Sequence, residues 1–337
     1  MIDLAALAHA PRLLVEADLA PVQTDRFQPT GFPDLGAATY TLHDGTEMLL
    51  VESAQSMANR AEAACWDAAE RKLVPALDGL PYVHVDIGDG TSTFASTASV
   101  LEAHRLNSPF VLDGKLGKQT FKEVLLDAAG FKEGQPIDTK RFLLAVFKYD
   151  PASLLHGLFM SMVEDGRLRL PRAMSSFIEA RGAHVAQSGG VKNDRINASG
   201  ETREGFGNVP FARTEYTAET ITAFMNLDLR QLRSFGLPAP AVTLLQQLAL
   251  YKFQKLLRDQ LRLRTACDLE AKRIRVTAPE GFALPPLDAL EKALPGAIRA
   301  CKELFADPRV TRLAFTMTSA AGKASKKAAR AKAEGTT

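Results

Sequence analysis

The sequence predicts an α+β fold. Strand-like and helix-like segments alternate irregularly, Asp44-Gly45 marks a tight hairpin, and one long amphipathic helix fills residues 241–263. The regular strand–helix alternation of a doubly wound parallel sheet is absent, and no internal repeat is visible. With 337 residues, 46% of them hydrophobic and 24% charged, the chain is neither disordered nor collagen-like. A globule of this size buries roughly 75% of its extended surface without staples or metals.

Leu13 to Leu19 (LLVEADL) mixes β-formers with charges and reads as an opening strand, followed by a Pro/Gly-punctuated loop from Pro21 to Ala37. ATYTL and TEMLLV flank His43-Asp44-Gly45 as the two arms of a hairpin. Ser53 caps a helix whose Met57, Ala61, Ala64 and Ala68 recur at helical spacing, so helix is expected from Ser53 to Leu73. Gln55, Asn59 and Glu62 then fall on the opposite, polar face, with Arg60 alongside. Pro81 to Ile87 alternates as a strand and ends in the Gly88-Asp89-Gly90 turn. Helix and turn are expected between Gly114 and Tyr149, where RFLLAVF fits either type. GRLRL (Gly166 to Leu170) has period two, with Arg167 and Arg169 on one face. Ile221 to Leu229 reads as a strand. On the helix from Ala241 to Leu263, Val242, Leu245, Ala249, Phe253, Leu256 and Leu257 form the apolar stripe. Lys252, Lys255, Arg258, Asp259 and Arg262 are expected largely outside it. A strand at Arg273 to Thr277, a helix near Leu287 to Phe305 and a strand at Val310 to Met317 complete the pattern.

One stretch does not fit a packed core. Arg181 to Arg213 holds six glycines, five bases and three acids over 33 residues without clear periodicity, which is long for a connection inside a compact domain. Val185, Val191, Ile196, Phe206, Val209 and Phe211 argue against plain disorder. A binding loop or an extended hairpin, ordered by a partner, is the expectation. The domain reading is therefore one unit over 1–318 with an excursion at 181–213, then a basic, solvated, mobile tail over 319–337.

That tail distorts the overall charge of +2. Five of the 41 bases and one of the 39 acids fall after Ser319, leaving 36 bases against 38 acids in the body. Affinity for nucleic acid must then come from local patches. No run approaches the ~18–20 apolar residues of a membrane span, and the acidic start (Asp3, Glu16) does not resemble a secretion signal. Cys65, Cys267 and Cys301 lie far apart and read as reduced core thiols of a cytoplasmic protein.

Catalytic motifs fail on inspection. Gly114 to Thr120 lacks the glycine spacing and the Ser/Thr after Lys118 that a phosphate loop requires. Gly88-Asp89-Gly90-Thr91-Ser92-Thr93 has Thr where a dinucleotide loop needs its third glycine. No GxSxG or HExxH is present. Asp86 and Asp89 beside the turn are the pair left for a divalent cation, and two acids at a turn are common without one. No cofactor and no metal are expected, and the chain is not expected to be an enzyme.

What remains is basic side chains interleaved with rings. The excursion offers Lys192, Arg195, Arg203 and Arg213 beside Phe206, Phe211 and Tyr216. Cations neutralise phosphates, and rings stack on or wedge between unpaired bases. Leu250 to Arg275 has eight bases and three acids, either a patch or simply the wet face of a helix.

At these residues the sequence resembles a known family. RFQPTGFPDLGAATY (Arg26 to Tyr40), LLVESAQSMANRAE (Leu49 to Glu62), GGVKNDRI (Gly189 to Ile196) and VPFARTEYTAETITAFMNLDLRQLRSFGL (Val209 to Leu237) resemble the backbone subunit of type I-G (formerly I-U) CRISPR effector complexes. This is the Cas-seven family of the RAMP superfamily. The resemblance runs from about Arg12 to Met317 and leaves the tail without a counterpart. It implies a modified RNA-recognition-motif (ferredoxin-like) core with inserted subdomains, and a protruding finger or thumb at 181–213. It further implies a non-catalytic scaffold whose copies stack along the spacer of a CRISPR RNA, holding its backbone without reading sequence and presenting it to target DNA in antiviral defence. The partners implied are CRISPR RNA, target DNA through the guide, neighbouring copies in a filament, the large subunit and the repeat-end-binding processing subunit; no membrane is involved. Carried onto this chain, the RNA contacts fall on Arg26, Gln28, Gln55, Asn59 and Arg60, on Arg167 and Arg169, and on Lys192, Arg195, Arg203, Phe206, Phe211 and Arg213. The rival readings are a metal-dependent ribonuclease of the same superfamily using Asp86, Asp89 or Asp194, and a protein-only assembly factor.

Overall fold

The computed structural model describes residues 2–32, 34–131, 136–161, 168–197, 199–204 and 206–317. Arg167 and the basic tail over 319–337 lie outside the described residues. In chain order the main elements are β1 (Arg12–Pro21), β2 (Thr39–Thr41), β3 (Glu47–Glu52) and α1 (Ala54–Ala63). An inserted stretch follows with β4 (Tyr82–Gly88), β5 (Thr93–Ala98), α2 (Phe121–Ala128), α3 (Thr139–Tyr149), β6 (Leu158–Met160) and β7 (Leu168–Leu170). The chain continues through β8 (Met174–Arg181), β9 (His184–Lys192), β10 (Val209–Thr217), β11 (Thr220–Asp228) and α4 (Ala239–Asp259). It closes with β12 (Arg262–Arg264), β13 (Cys267–Ala278), α5 (Leu287–Ala300) and β14 (Val310–Thr316).

The fold is α+β. A seven-stranded sheet has the order β12-β13-β1-β11-β8-β3-β2, antiparallel throughout. Stripped of insertions, its centre runs β1-α1-β8-β11-α4-β13, and the order β13-β1-β11-β8 is the 4-1-3-2 arrangement of a ferredoxin-like βαββαβ unit. A second sheet places β14 parallel to β4, with β5 on β4's far side.

Alternation in the sequence explains the inner face. Leu13, Val15, Ala17 and Leu19 of β1 point inward, directly opposite Leu227, Met225, Ala223 and Ile221 of β11. Each larger side chain buried this way contributes about 1.5–3 kcal/mol. The charges between them, Glu16 and Asp18, face out and share Arg275 of β13, at 2.6 Å each.

Several elements depart from the sequence reading. The first helix starts as expected, with Ser53 Oγ accepting the Ser56 N–H, and it buries Met57, Ala58 and Ala61. It stops at Ala63, not Leu73, because Asp67 Oδ1 accepts the N–H groups of Ala69 and Glu70 and draws the chain into a turn between Trp66–Asp67 and Lys72–Leu73. Glu62, expected on the polar face, is 2% exposed. RFLLAVF is helical, within α3. The long helix α4 ends at Asp259; Leu261 and Leu263 turn inward as the chain pairs β12 with β13. Its stripe is buried as expected from Leu245 to Leu257, with Val242 half-buried, but Lys252 is only 1% exposed. Packed against α1 on one side and α5 on another, α4 has too little free surface to keep that lysine wet. The three cysteines are free and buried, and burial pushes Cys65 up to about 12.

Candidate nucleic-acid interface

The excursion is an extended hairpin. β9 and β10 pair from His184↔Thr217 to Lys192↔Val209, a ribbon on the order of 30 Å long at ~3.3 Å per residue. It continues β8 and β11 beyond the main sheet, with a change of direction at Gly182. That residue has φ +63°, and a Cβ there would lie 2.5 Å from the Glu219 side chain, so glycine is required. Residues directly opposite share a face, which puts Lys192, Phe211 and Arg213 together. Phe211 lies across Gly190, and the Arg213 guanidinium sits 5.6 Å from its ring. The tip is ordered by Asp194, whose Oδ1 accepts the N–H groups of Ile196 and Asn197 while Oδ2 accepts that of Gly207. These bonds hold its carboxyl below the usual range. Arg195, Arg203 and Phe206 are exposed around this tip. Apart from Tyr216 at its base, the larger apolar residues of the hairpin find no core: Val185, Val191 and Ile196 are all more than half exposed.

At the hairpin's base the Pro21–Ala37 loop is clamped by mutual backbone bonds between Phe27 and Tyr216, 2.9 and 2.8 Å. Buried Glu215 lies between Arg26 (3.8 Å) and Arg213 (3.5 Å). A groove of about 960 Å³ opens here, walled by Gln28, Phe32, Arg213, Tyr216 and Arg264. Arg264 donates to the Gln28 carbonyl (2.8 Å) and to Glu52 Oε2 (2.5 Å). Arg60 lies 3.6 Å from the same Glu52 and donates to the Leu263 carbonyl at 2.6 Å. Arg60 is thus engaged inside the fold, tying α1 to β12.

A second groove lies beside the α1 N-terminus, where Gln55 and Arg169 meet His104 and Arg172. Gln55 Oε1 accepts from Arg172 Nη2 at 2.8 Å, and Arg169 stacks 4.5 Å from the Phe159 ring. Asn59 is exposed one turn further along α1. Beneath this groove Glu62 Oε2 lies 2.5 Å from Lys252 Nζ, and His156 Nε2 is 3.3 Å from both Lys252 Nζ and Glu62 Oε1. Arg105, also buried, holds a left-handed backbone at φ +52°, a conformation that costs a non-glycine residue about 1–2 kcal/mol.

The structure therefore brings Gln28 together with Arg213, and Gln55 with Arg169. It sets Arg195, Arg203 and Phe206 apart at the tip. Arg105 and Arg172 escaped the sequence reading, since each is a lone arginine in a turn with no spacing signal, and Arg264 was read only as one of the eight bases of Leu250–Arg275. The excess of bases in Leu250–Arg275 is no patch: Lys255 pairs with Asp259, Arg262 with Asp268, Lys272 with Glu270, and Arg264 and Arg275 with acids from distant strands. Of the aspartates considered for a metal, Asp86 meets His84 at 3.2 Å. Asp89 accepts the Thr91 and Ser92 N–H groups, which hold it down at about 2. Among the described residues no group of three or more His, Cys, Asp or Glu is placed to hold a metal ion, and no helix is long and apolar enough to cross a membrane.

The model of the family described as CRISPR-associated protein GSU0053 matches residues 13–185. Among curated proteins none matches. Among solved structures the chain is similar to a "CRISPR RNA-guided surveillance complex, pre-nicking" chain, at 16% identity and TM-score 0.42, covering 87% of this chain and 85% of that one. It is similar to a "CRISPR RNA-guided surveillance complex" chain at 14% identity and TM-score 0.35, covering 87% and 80%. A third is Csc2 of Thermofilum pendens, at 10% identity and TM-score 0.29, covering 90% and 79%. The fold assignment itself rests on the strand order described above.

Proposed function

We propose, from the premise that this chain belongs to the family of CRISPR-associated protein GSU0053, that it is a non-catalytic backbone subunit of a type I-G CRISPR effector complex. Copies of it polymerise along the spacer of the CRISPR RNA, hold the sugar–phosphate chain without reading its sequence, and present the bases to target DNA. The single observation that carries this reading is the hairpin face on which Lys192, Phe211 and Arg213 stand together above a groove also walled by Gln28. Cations beside an exposed ring suit a single strand, whose phosphates need neutralising and whose bases have free faces to stack. Neighbouring copies, the large subunit and the processing subunit complete the set of partners.

The test is co-expression with a repeat-spacer transcript, comparing wild type with Lys192/Arg195/Arg203/Arg213→Ala for bound RNA over a salt series. Each single-stranded phosphate contact contributes about 0.7 to the slope of log affinity against log salt. The variant should lose up to about 3 in that slope and stay folded, with at most a small fall in thermal stability where Arg213 leaves buried Glu215. Equal RNA retention and equal slopes would remove the hairpin from the guide.

The exposed Val185, Val191 and Ile196 favour a second reading, an assembly factor gripping protein alone. Oligomers that survive nuclease and high salt would establish it; assembly that requires RNA would reject it.

A further inference from the structure

The two larger sheets end in four edges, and one of them is open to another strand. β2 and β12 are three residues long, β12 carries two arginines, and the edge Gln119–Thr120 of the second sheet has two residues. β5 (Thr93–Ala98) is six residues long and contains no charge and no proline. Natural edges of that length are blunted by lysine, by proline or by a covering segment.

One bond identifies the free side of β5. Ser99 N–H donates to the Val83 carbonyl at 2.8 Å, so Val83 and Ser99 are a hydrogen-bonded pair, and Val85/Thr97 and Ile87/Ala95 repeat it along the ladder. The N–H and C=O of Ser96 therefore point away from β4, and among the described residues neither has a partner. Beside this edge runs a groove of about 650 Å³, walled by Trp66, Arg71, Asp86, Phe94, Ser96 and Leu101. Phe94 is 62% exposed and Leu101 44%.

Charge selects what covers it. Residues 66–102, which build the groove and the turns around it, hold six acids against two bases; residues 318–337 hold five bases against one acid. That basic segment starts next to the edge. Met317 N–H donates to the Gly88 carbonyl at 2.8 Å, and Gly88 pairs with Thr316 on one side and Thr93 on the other. With strands ~4.8 Å apart, the free side of β5 is roughly 15 Å from Thr316, a distance that about five extended residues span. The uncharged residues of the segment are all Ala, Gly, Ser or Thr, small enough to lie close to a strand. Its lysine stems suit the exposed Phe94 and Leu101, with their ammonium groups among the acids.

We infer that residues 318–337 dock along β5 of the same chain, meet the free backbone groups of Ser96 and close that edge. The contact needs no RNA and is independent of the function proposed above. The acids around the groove repel phosphates, and a second copy's neutral β5 brings no opposite charge.

Amide hydrogen exchange on the full, RNA-free chain reads the Ser96 N–H directly. Bonded to the docked segment, it should exchange at least tenfold more slowly than a free amide. The full-length variant Lys323/Lys326/Lys327/Arg330/Lys332→Gln should lose that protection, as should wild type in about 0.5 M salt. A synthetic peptide of residues 318–337, added to the variant at about 1 mM to match the effective concentration of a tethered segment, should restore it. An unprotected Ser96 amide in wild type at low salt overturns the docking. Protection that persists in the glutamine variant overturns the segment as occupant, and its rise with protein concentration would assign the edge to a second copy. Protection that appears only when single-stranded RNA is added overturns the docking in favour of nucleic acid.

Discussion

Lys252 and Lys192 carry the same ammonium group into opposite surroundings. Lys252 sits between α1 and α4, 1% exposed, with Nζ 2.5 Å from Glu62 and 3.3 Å from His156. Lys192 stands in solvent on the hairpin, across from Val209 and on the same face as Phe211 and Arg213. In the first region charge is matched inside the protein, and the fold depends on it. In the second, charge and apolar surface are left open, and the fold does not. Basic residues in a sequence therefore carry two meanings, separated only by what packs over them.

The largest way to break that comparison is Lys252→Met. Removing one member of a buried pair leaves Glu62 uncompensated, with an expected cost of about 3–5 kcal/mol in urea unfolding. Replacing both partners, Lys252→Met with Glu62→Leu, should recover most of the loss, because the desolvation penalty disappears with the charges. If the double variant is as unstable as the single, the cluster is not held as an ion pair.

Next comes pH. Asp150 is buried beside Glu62, and desolvation followed by that like charge raises it to about 6. Its folded form binds the proton more tightly than the unfolded chain, so stability falls as pH rises from about 4 to 6, by about 3 kcal/mol. His156 works the other way. Its lowered folded pKa means that stability is lost as pH falls below the unfolded value of about 6.5. Asp150→Asn should leave only the limb that rises with pH, and His156→Gln only the one that falls. Denaturation midpoints at pH 4.5, 5.5 and 7 in the two variants check both signs.

The smallest effect sharpens the hairpin side. Gly182→Ala forces a left-handed backbone on a residue with a Cβ and pushes against Glu219, at a cost of about 1–2 kcal/mol. The change of direction at the hairpin's root should be disturbed while the core stays folded. Hydrogen exchange should then rise at the Phe27–Tyr216 clamp and remain slow in β1 and β11. Uniform loosening would mean that the hairpin is coupled to the whole sheet.

The sequence was most legible where periodicity and burial coincide. The β1 alternation, the Asp44-Gly45 turn, the Ser53 cap and the α4 stripe could all be read directly, since each is set by neighbours along the chain. Glu62 and Lys252 could not. They lie 190 residues apart, and each alone has the look of an ordinary wet residue on an amphipathic helix. The excess of bases at Leu250–Arg275 stayed ambiguous for the same reason, because its neutralising acids Glu16, Asp18 and Glu52 come from other strands. Arg105 and Arg172 carry no local signal.

By itself, then, the sequence determined an α+β chain with an excursion too glycine-rich and too charged to pack, because hydrophobic spacing and turn chemistry are short-range properties. The tertiary structure decided which charges are paired, which face of the hairpin gathers Lys192, Phe211 and Arg213, and that one groove opens at the hairpin's base and another beside the start of α1. Those outcomes depend on strand register and helix packing, which join residues that no local pattern connects.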